Sequence, residues 1–533
     1  MKQDLNRRSF LTGILAVGAV AAGGALTGCV DNSGTPGEVF PEWQKEADVI
    51  VVGSGFAGLS AAITAIDEGS SVILVEKAPE KDAGGNSRVC AQAVWTPSEI
   101  QAAIRYFKEI TTEYHMQDIP EAMVEAYINE ASKNATWLTE VAGIPMLIAD
   151  SIEYPNAPSA PDARKKSMAI STEGLGNSRV WKAMKSTVDG RDIEMLFETP
   201  MTDLVFNKDG EVIGIKAESN GQEIFLGAHK AVILCPGGFE GDKIMNANYL
   251  RYPALSWGTP YNTGDVHKIC MAYDIAFWHM NSATPATRIG MIMPTLGEKF
   301  KHTSFDIELP SVIGNHLWVD KYGKRFMNET SDYMHGYGRD EIFYNDGMAM
   351  EWPRLPFWQI MDQTVANYLG GRGALTSGWL EVVEGVAPSA NFEKEIAAGV
   401  IFKGNTVEEL ASKIGIDPAV LAKTVSNFNA IAAAGEDHDF DREARTMKPL
   451  VGPYYAAKAY PVMVNTNGGP RRNENGQILR NDGTPVPRLF SSGEFGSIWA
   501  WYYQGAGNVS ECLSFGRITG RNAAALESWK ESE

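Results

Sequence analysis

Hydrophobic residues early in the folded region come in short unbroken runs: residues 49–52 in "ADVIVVG", 72–75 in "SVILVE" and 232–234 in "AVILCPGG". Such runs, bounded by glycine or proline, predict strands buried on both faces of a parallel sheet. Between the first two, "GFAGLSAAITAIDEG" spaces its apolar residues as a helix does, so the order is strand, glycine turn, helix, strand. Residues 202–226 alternate instead around "KDGE" and "NGQE", which predicts two hairpin turns. Residues 118–143 predict one packing helix stopped by glycine, and residues 406–415 and 418–434 predict two more. Near the C-terminus, "WYYQGAGNVSECLSFGRITG" leads from glycines and Asn508 into an apolar helix-length segment. Its first turn is a candidate anion or cofactor site. No internal repeat or low-complexity tract is present.

The glycine turn carries the clearest chemistry. Gly53 permits the tight turn, Gly55 lets backbone approach a pyrophosphate, and Gly58 lets the helix pack on the sheet. Glu76 closes the second strand, 23 residues after Gly53, where a carboxylate accepts bonds from a ribose hydroxyl. Together these predict a dinucleotide-binding unit and an unphosphorylated adenosine ribose.

Composition removes several other functions. A chain of 533 residues with 44% hydrophobic and 21% charged residues can bury a large core, and two domains are expected. A net charge of -19, with no basic run after the N-terminus, argues against a nucleic-acid partner. Cysteines 29, 90, 235, 270 and 512 form no CxxC, so neither a clustered metal site nor a disulfide framework is expected. Arg7 and Arg8 before Ser9, Phe10 and Leu11 match a twin-arginine export signal, and "LTGC" resembles a lipobox with Cys29 as the lipidated residue. The apolar run between them is shorter than the roughly 20 residues a membrane-spanning helix needs. A signal over 1–28, a tether over 29–44 and a lipid anchor on the outer face of the cytoplasmic membrane are therefore expected.

A second glycine-rich loop, "AGGNSRVCA", follows Glu76, and then "AVILCPGGF", "NTGDV", "YGKRFMNE" and "LFSSGEFG" stand in that order. With these motifs the sequence resembles the flavoproteins of the fumarate reductase and succinate dehydrogenase family, which include 3-ketosteroid dehydrogenases and urocanate reductase. The resemblance implies an α/β fold in which a Rossmann-like FAD-binding domain, residues 45–285 and 462–533, is split by an inserted α+β cap domain, residues 286–461. It implies FAD, held non-covalently, because no histidine lies near Asn86 in the sequence. The residues expected to hold it are Gly53, Ser54, Gly55, Phe56, Ala57, Gly58, Glu76 and Lys77, then Gly84, Gly85, Asn86 and Ser87. Gly237, Gly238, Asp265, Glu494, Gly507, Asn508 and Val509 complete the set. The carboxylate of Glu494 is expected on the ribityl or ribose part, and the amides at the start of the last helix on the flavin pyrimidine.

The same resemblance bears on the substrate. Fumarate-reducing members carry an arginine where this chain has Gln504, and a second where it has Tyr333. A buried dicarboxylate without such partners costs several kcal/mol, so fumarate is a poor candidate. Tyr503, Gly505, Ala506 and Gly507 instead resemble the Tyr-x-Gly-Ala-Gly motif of the 3-ketosteroid Δ1-dehydrogenase branch, with Gln504 in place of proline. The Tyr503 hydroxyl and the Gly507 amide would then polarise a ketone, and Tyr333 would exchange a proton at the α-carbon. The expected activity acts on the C=C bond of an apolar enone, in the reductive direction, with a separate membrane or extracytoplasmic electron donor. Tyr502, Trp499 and Trp501 are either pocket wall or core. The alternatives are an enoate reductase using Arg288, Arg339 or Arg471, and a flavin-bearing electron carrier with no substrate of its own.

Overall fold

In the computed structural model the first apolar run is a strand, β1 (Lys45–Val52), followed by α1 (Phe56–Asp67) and β2 (Val72–Val75). The residues described are 40–113, 118–250, 255–291, 305–306, 313–330, 335, 339–370, 377–500 and 502–529. β1 and β2 pair in parallel, Val49 against Val72. Val49 and Val51 join the core beneath α1, whereas Ile50 and Val52 join a second core on the other face. Unbroken apolar runs are what burial on both faces requires. The 222–234 segment forms β3 (Gln222–Leu234), parallel to β1 on its other side, and β4 (Pro485–Ser491) is parallel to β3. Ile193–Leu196 extends the sheet beyond β2, and Met201–Phe206, Val212–Ser219 and β3 form an antiparallel meander. Gln477–Leu479 completes eight strands. Both expected hairpin turns fall within the meander.

The last helix, α2 (Gly507–Ala524), packs across α1 at close range. A Cβ on Gly516 would stand 2.6 Å from Ser60 Cβ, and one on Gly520 would stand 2.5 Å from the Ala61 carbonyl oxygen. Glycine is needed there because the two backbones nearly touch. The dinucleotide turn and the C-terminal motif thereby open on one side of the sheet.

A second, seven-stranded sheet is built around Tyr454–Thr466, paired with Ala283–Met291, Phe357–Asp362, Leu255–Ser256 and Ile401–Gly404. The expected borders at 285 and 461 fall inside two of these strands. Val407–Ile414 and Pro418–Ala434 are helical, the first with Thr406 Oγ1 accepting the Glu409 amide and with Gly415 left-handed at its end. Residues 118–143 hold two helices, Glu121–Ala131 and Asn134–Val141, where one was expected. At the start of the second helix the buried Asn134 amide donates to Ser510 Oγ at 2.9 Å and its oxygen accepts from Arg517 at 2.8 Å, which ties this helix to α2. Residues 42–533 form one compact unit. The signal, tether and Cys29 lie outside the described residues. Among those described, no helix is long and apolar enough to cross a membrane.

Candidate active site

The ends of β1 and β3 open into a cleft lined by Val52, Gly53, Cys235 and Pro236. Gly53 has φ +103°, and a Cβ there would sit 2.2 Å from the Cys235 carbonyl oxygen; one on Gly58 would sit 1.8 Å from the Gly53 carbonyl oxygen. Those two glycines serve the backbone. Gly55 is less constrained: a Cβ there would stand 3.1 Å from Ser87 Oγ and 3.8 Å from the Gly84 carbonyl oxygen. Ser87 Oγ also accepts the Phe56 amide at 2.8 Å, which ties the second glycine loop to the start of α1. Glu76 accepts the Ser54 hydroxyl at 2.5 Å and the Ala78 amide at 2.8 Å. Lys77 bonds Asp265 at 2.5 Å and Thr263 at 2.7 Å across the rim. Burial opposes ionisation of Asp265, but Lys77 beside it wins and keeps the carboxyl below its usual range.

Of the expected cofactor residues, Gly53 to Ala57, Glu76, Lys77, Gly85, Asn86, Ser87, Gly237, Gly238, Asp265 and Glu494 line the cleft. Gly58 packs under the turn, and Gly84, at φ +107°, packs against Trp181, where a Cβ would come within 2.4 Å. Gly507, Asn508 and Val509 are not among the lining residues. Asn262, the first residue of the NTGDV motif, also lines it, as do Thr259 and Tyr261 just before that motif and His267 in the short helix Asp265–Cys270 that follows. Burial, above all, lowers His267 to about 4, so its imidazole is neutral at pH 7.

Glu494 lies in a polar cluster within the cleft wall. Asn86 Nδ2 donates to Glu240 Oε1 at 2.7 Å and lies 3.2 and 3.3 Å from the two Glu494 oxygens, while Asn86 Oδ1 accepts the Thr259 amide at 2.9 Å. Two buried acids therefore share one amide. Burial, then the neighbouring Glu240, pushes the Glu494 carboxyl well above its ordinary range, and burial raises Glu240 as well. Burial and the second acid thus favour the neutral form of Glu494, while the Asn86 amide donates to its oxygens.

The cleft suits a dinucleotide. The start of α1, with the side-chain-free Gly55 at its N-cap, offers a pyrophosphate cradle. Among the described residues Ser492 Oγ, in the cleft wall, and Asn508 Oδ1 are buried with no hydrogen-bond partner, which leaves polar groups for a ligand to satisfy.

At the C-terminal motif Tyr503, Gln504 and Gly507 are buried and Ala506 is left-handed, φ +68°. The Gly507 amide, expected to hold a ketone, donates instead to the Gln504 carbonyl at 2.7 Å. A Cβ on Gly507 would lie 2.5 Å from Trp499, so the glycine makes room for that ring. Trp499 is fully buried against Trp95, Phe107 and Tyr127, which makes it core. Tyr502 packs edge-on against Tyr154, and Trp501 lies outside the described residues. Burial raises Tyr503 far above the ordinary phenol range, although the backbone amides of Asn508 and Ala506 reach it and pull the other way.

Tyr333 also lies outside the described residues. Two positions on, His335 stands edge-on to Tyr503, ring centroids 4.7 Å apart, and pairs with Glu153 at 3.3 Å. Sequence reading missed both, since neither belongs to a motif. Gln504, which departs from the resemblance, proves to be a hub: its Oε1 accepts the Tyr106 hydroxyl at 2.7 Å and the Glu153 amide at 3.0 Å. Arg471 is half-buried over Trp278 and 3.5 Å from Asp118, and the side chains of Arg288 and Arg339 lie outside the description.

The cleft is that of a dinucleotide-binding protein, with an enclosed phenol at the start of α2. The chain belongs to the family described as FAD binding domain, which matches residues 48–510. It is 25% identical to the NADH:acrylate oxidoreductase of Vibrio harveyi over 91% of this chain, and it spans about half, 51%, of that protein's length. It is also 25% identical to the 3-oxosteroid 1-dehydrogenase of Mycolicibacterium smegmatis, covering 90% of this chain and 98% of that one. The fold is shared with the 3-ketosteroid Δ1-dehydrogenase of Sterolibacterium denitrificans, solved with 1,4-androstadiene-3,17-dione: TM-score 0.75, 22% identity, 90% of this chain and all of that one. The chain is thus an FAD-dependent oxidoreductase of a group whose members act on CH–CH bonds.

Proposed function

We propose that this protein reduces the C=C bond of a neutral, apolar α,β-unsaturated ketone. The observation that carries the reading is Tyr503: a buried phenol, held protonated, at the start of α2. A neutral donor in a dry site polarises a ketone oxygen and steadies the negative charge that grows there as the β-carbon is reduced. FAD, when bound, supplies the two-electron hydride chemistry. Among the described residues, Glu153 and His335 stand against the Gly505 turn, with Glu153 Oε2 2.7 Å from where a Cβ would stand. A carboxylate substrate would find an acid there and a histidine already compensated by it. That weighs against the enoate reading, though the likeness to an acrylate oxidoreductase keeps it as the second candidate.

The reading includes non-covalent FAD, export by the twin-arginine route, an anchor at Cys29 and an extracytoplasmic electron donor, all resting on sequence patterns. Its test is anaerobic reoxidation of the chemically reduced holoprotein by cyclohexenone, androstadienedione, acrylate and cinnamate. Reoxidation by the ketones and a loss of about 10²-fold or more in Tyr503→Phe is expected from removal of one oxyanion donor. Reoxidation by the acids alone overturns it.

A further inference from the structure

We propose that His335, held by Glu153, is the residue that exchanges the α-carbon proton of the substrate; this rests on the enone reading above. Glu153 Oε1 lies 3.3 Å from His335 Nδ1 and accepts the His335 backbone amide at 3.1 Å. A carboxylate at Nδ1 fixes the tautomer with its proton there and stabilises the imidazolium once Nε2 takes up a second. Among the described residues no group bonds to Nε2, and the ring meets Tyr503 edge-on, at 88°. His335 thus stands beside the phenol that would hold the ketone.

The acid is itself fixed in place. Its backbone amide is bound by Gln504, which also takes the Tyr106 hydroxyl, and the Glu153 and His335 side chains are only 9% and 13% exposed. Gln504 therefore ties the pair to the turn that carries Tyr503. A phenol held protonated as firmly as Tyr503 donates a hydrogen bond well but exchanges its proton poorly, so the reaction needs a second group. A carboxylate-supported imidazole is suited to that work at neutral pH.

The step balances without another reagent. After the β-carbon has received a hydride, the electron pair of the enolate C=C forms a C–H bond at the α-carbon with the proton of imidazolium Nε2–H. The N–H bonding pair stays on nitrogen, and the neutral imidazole regains a proton from water. In this arrangement His335 is catalytic and Glu153 is a positioning residue.

FAD-loaded wild type, His335→Ala, Glu153→Gln and Tyr333→Phe test this by stopped-flow reoxidation with cyclohexenone. A parallel assay follows deuterium uptake at the α-carbons of cyclohexanone in D2O with the oxidised protein. His335→Ala is expected to lower both rates about 10²-fold or more with KM nearly unchanged, and added imidazole to restore about a tenth of the loss or better. Glu153→Gln should lower kcat about tenfold at constant KM. His335→Ala within about threefold of wild type overturns the assignment, as does loss of deuterium uptake in Tyr333→Phe alone. Should His335→Ala fail to retain FAD, Glu153→Gln decides, and an unchanged kcat overturns the assignment. A wild type reoxidised by no ketone sinks the enone reading and the histidine's role with it, whereas active wild type with an indifferent His335→Ala sinks only the latter.

Discussion

Exchanging Gly55 and Gly58 for alanine, one at a time, separates cofactor contact from fold within a single turn. Gly58→Ala places its methyl 1.8 Å from the Gly53 carbonyl oxygen, and both partners are backbone that cannot rotate away. The required shift costs about 3 kcal/mol or more, at the upper end of ordinary overpacking. Gly55 has φ -71° and ψ -179°, which alanine adopts freely, and the nearest protein atom to the new methyl is Ser87 Oγ at 3.1 Å. The stability of the FAD-free protein should therefore change by less than about 1 kcal/mol, since reduced freedom of the unfolded chain offsets a small adjustment of Ser87. The methyl does, however, occupy the face where a pyrophosphate approaches α1. Losing one charge-assisted hydrogen bond of about 1.5–3 kcal/mol weakens FAD binding roughly 10- to 150-fold. Titration of FAD-free protein with FAD, followed by flavin fluorescence, gives Kd, and differential scanning fluorimetry of the same samples gives Tm. Wild-type affinity in Gly55→Ala, or a Tm loss equal to that of Gly58→Ala, would refute the argument.

Two further outcomes follow from buried charge. His267 titrates near 6.5 when unfolded but, buried, at about 4 in the folded protein, so only the unfolded chain takes up that proton between the two values. Its stabilising share is complete above about pH 6.5 and falls by about 3 kcal/mol on acidification to pH 4; urea midpoints measured against pH should lose that slope in His267→Asn. Arg472 and Glu511 form an ion pair in the core, where Glu511 also accepts the Ile498 amide at 2.8 Å and the Ser497 hydroxyl at 2.5 Å. Glu511→Leu strands the guanidinium and should cost about 3–5 kcal/mol in urea unfolding, with Arg472→Met restoring much of it in the double variant.

How much of the site the sequence disclosed depends on how far apart its partners lie in the chain. The dinucleotide turn was legible because its demands are local: Gly53 must be left-handed and Gly58 must lie under the Gly53 carbonyl, five residues away. The helix from Val407 to Ile414 was legible for the same reason, with its cap at Thr406 and its stop at Gly415. Glu240, Glu153 and His335 were not. Each acquires its chemistry from contacts across 154 to 351 residues, such as Asn86 to Glu240 and Glu153 to Gln504, and no periodicity records such pairs. The single helix expected over 118–143 is two, Glu121–Ala131 and Asn134–Val141, and the second is tied to α2 through Asn134, another contact between remote segments.

Alone, the amino-acid order determined the class of cofactor and the parallel sheet that presents it, since backbone geometry and glycine spacing act over a few residues. Tertiary structure decided that Glu240 and Glu494 share the Asn86 amide, that the Gly507 amide is spent within its own turn, and that a histidine–carboxylate pair flanks Tyr503. Those outcomes depend on burial and on distances between remote segments, quantities that exist only once the chain has folded.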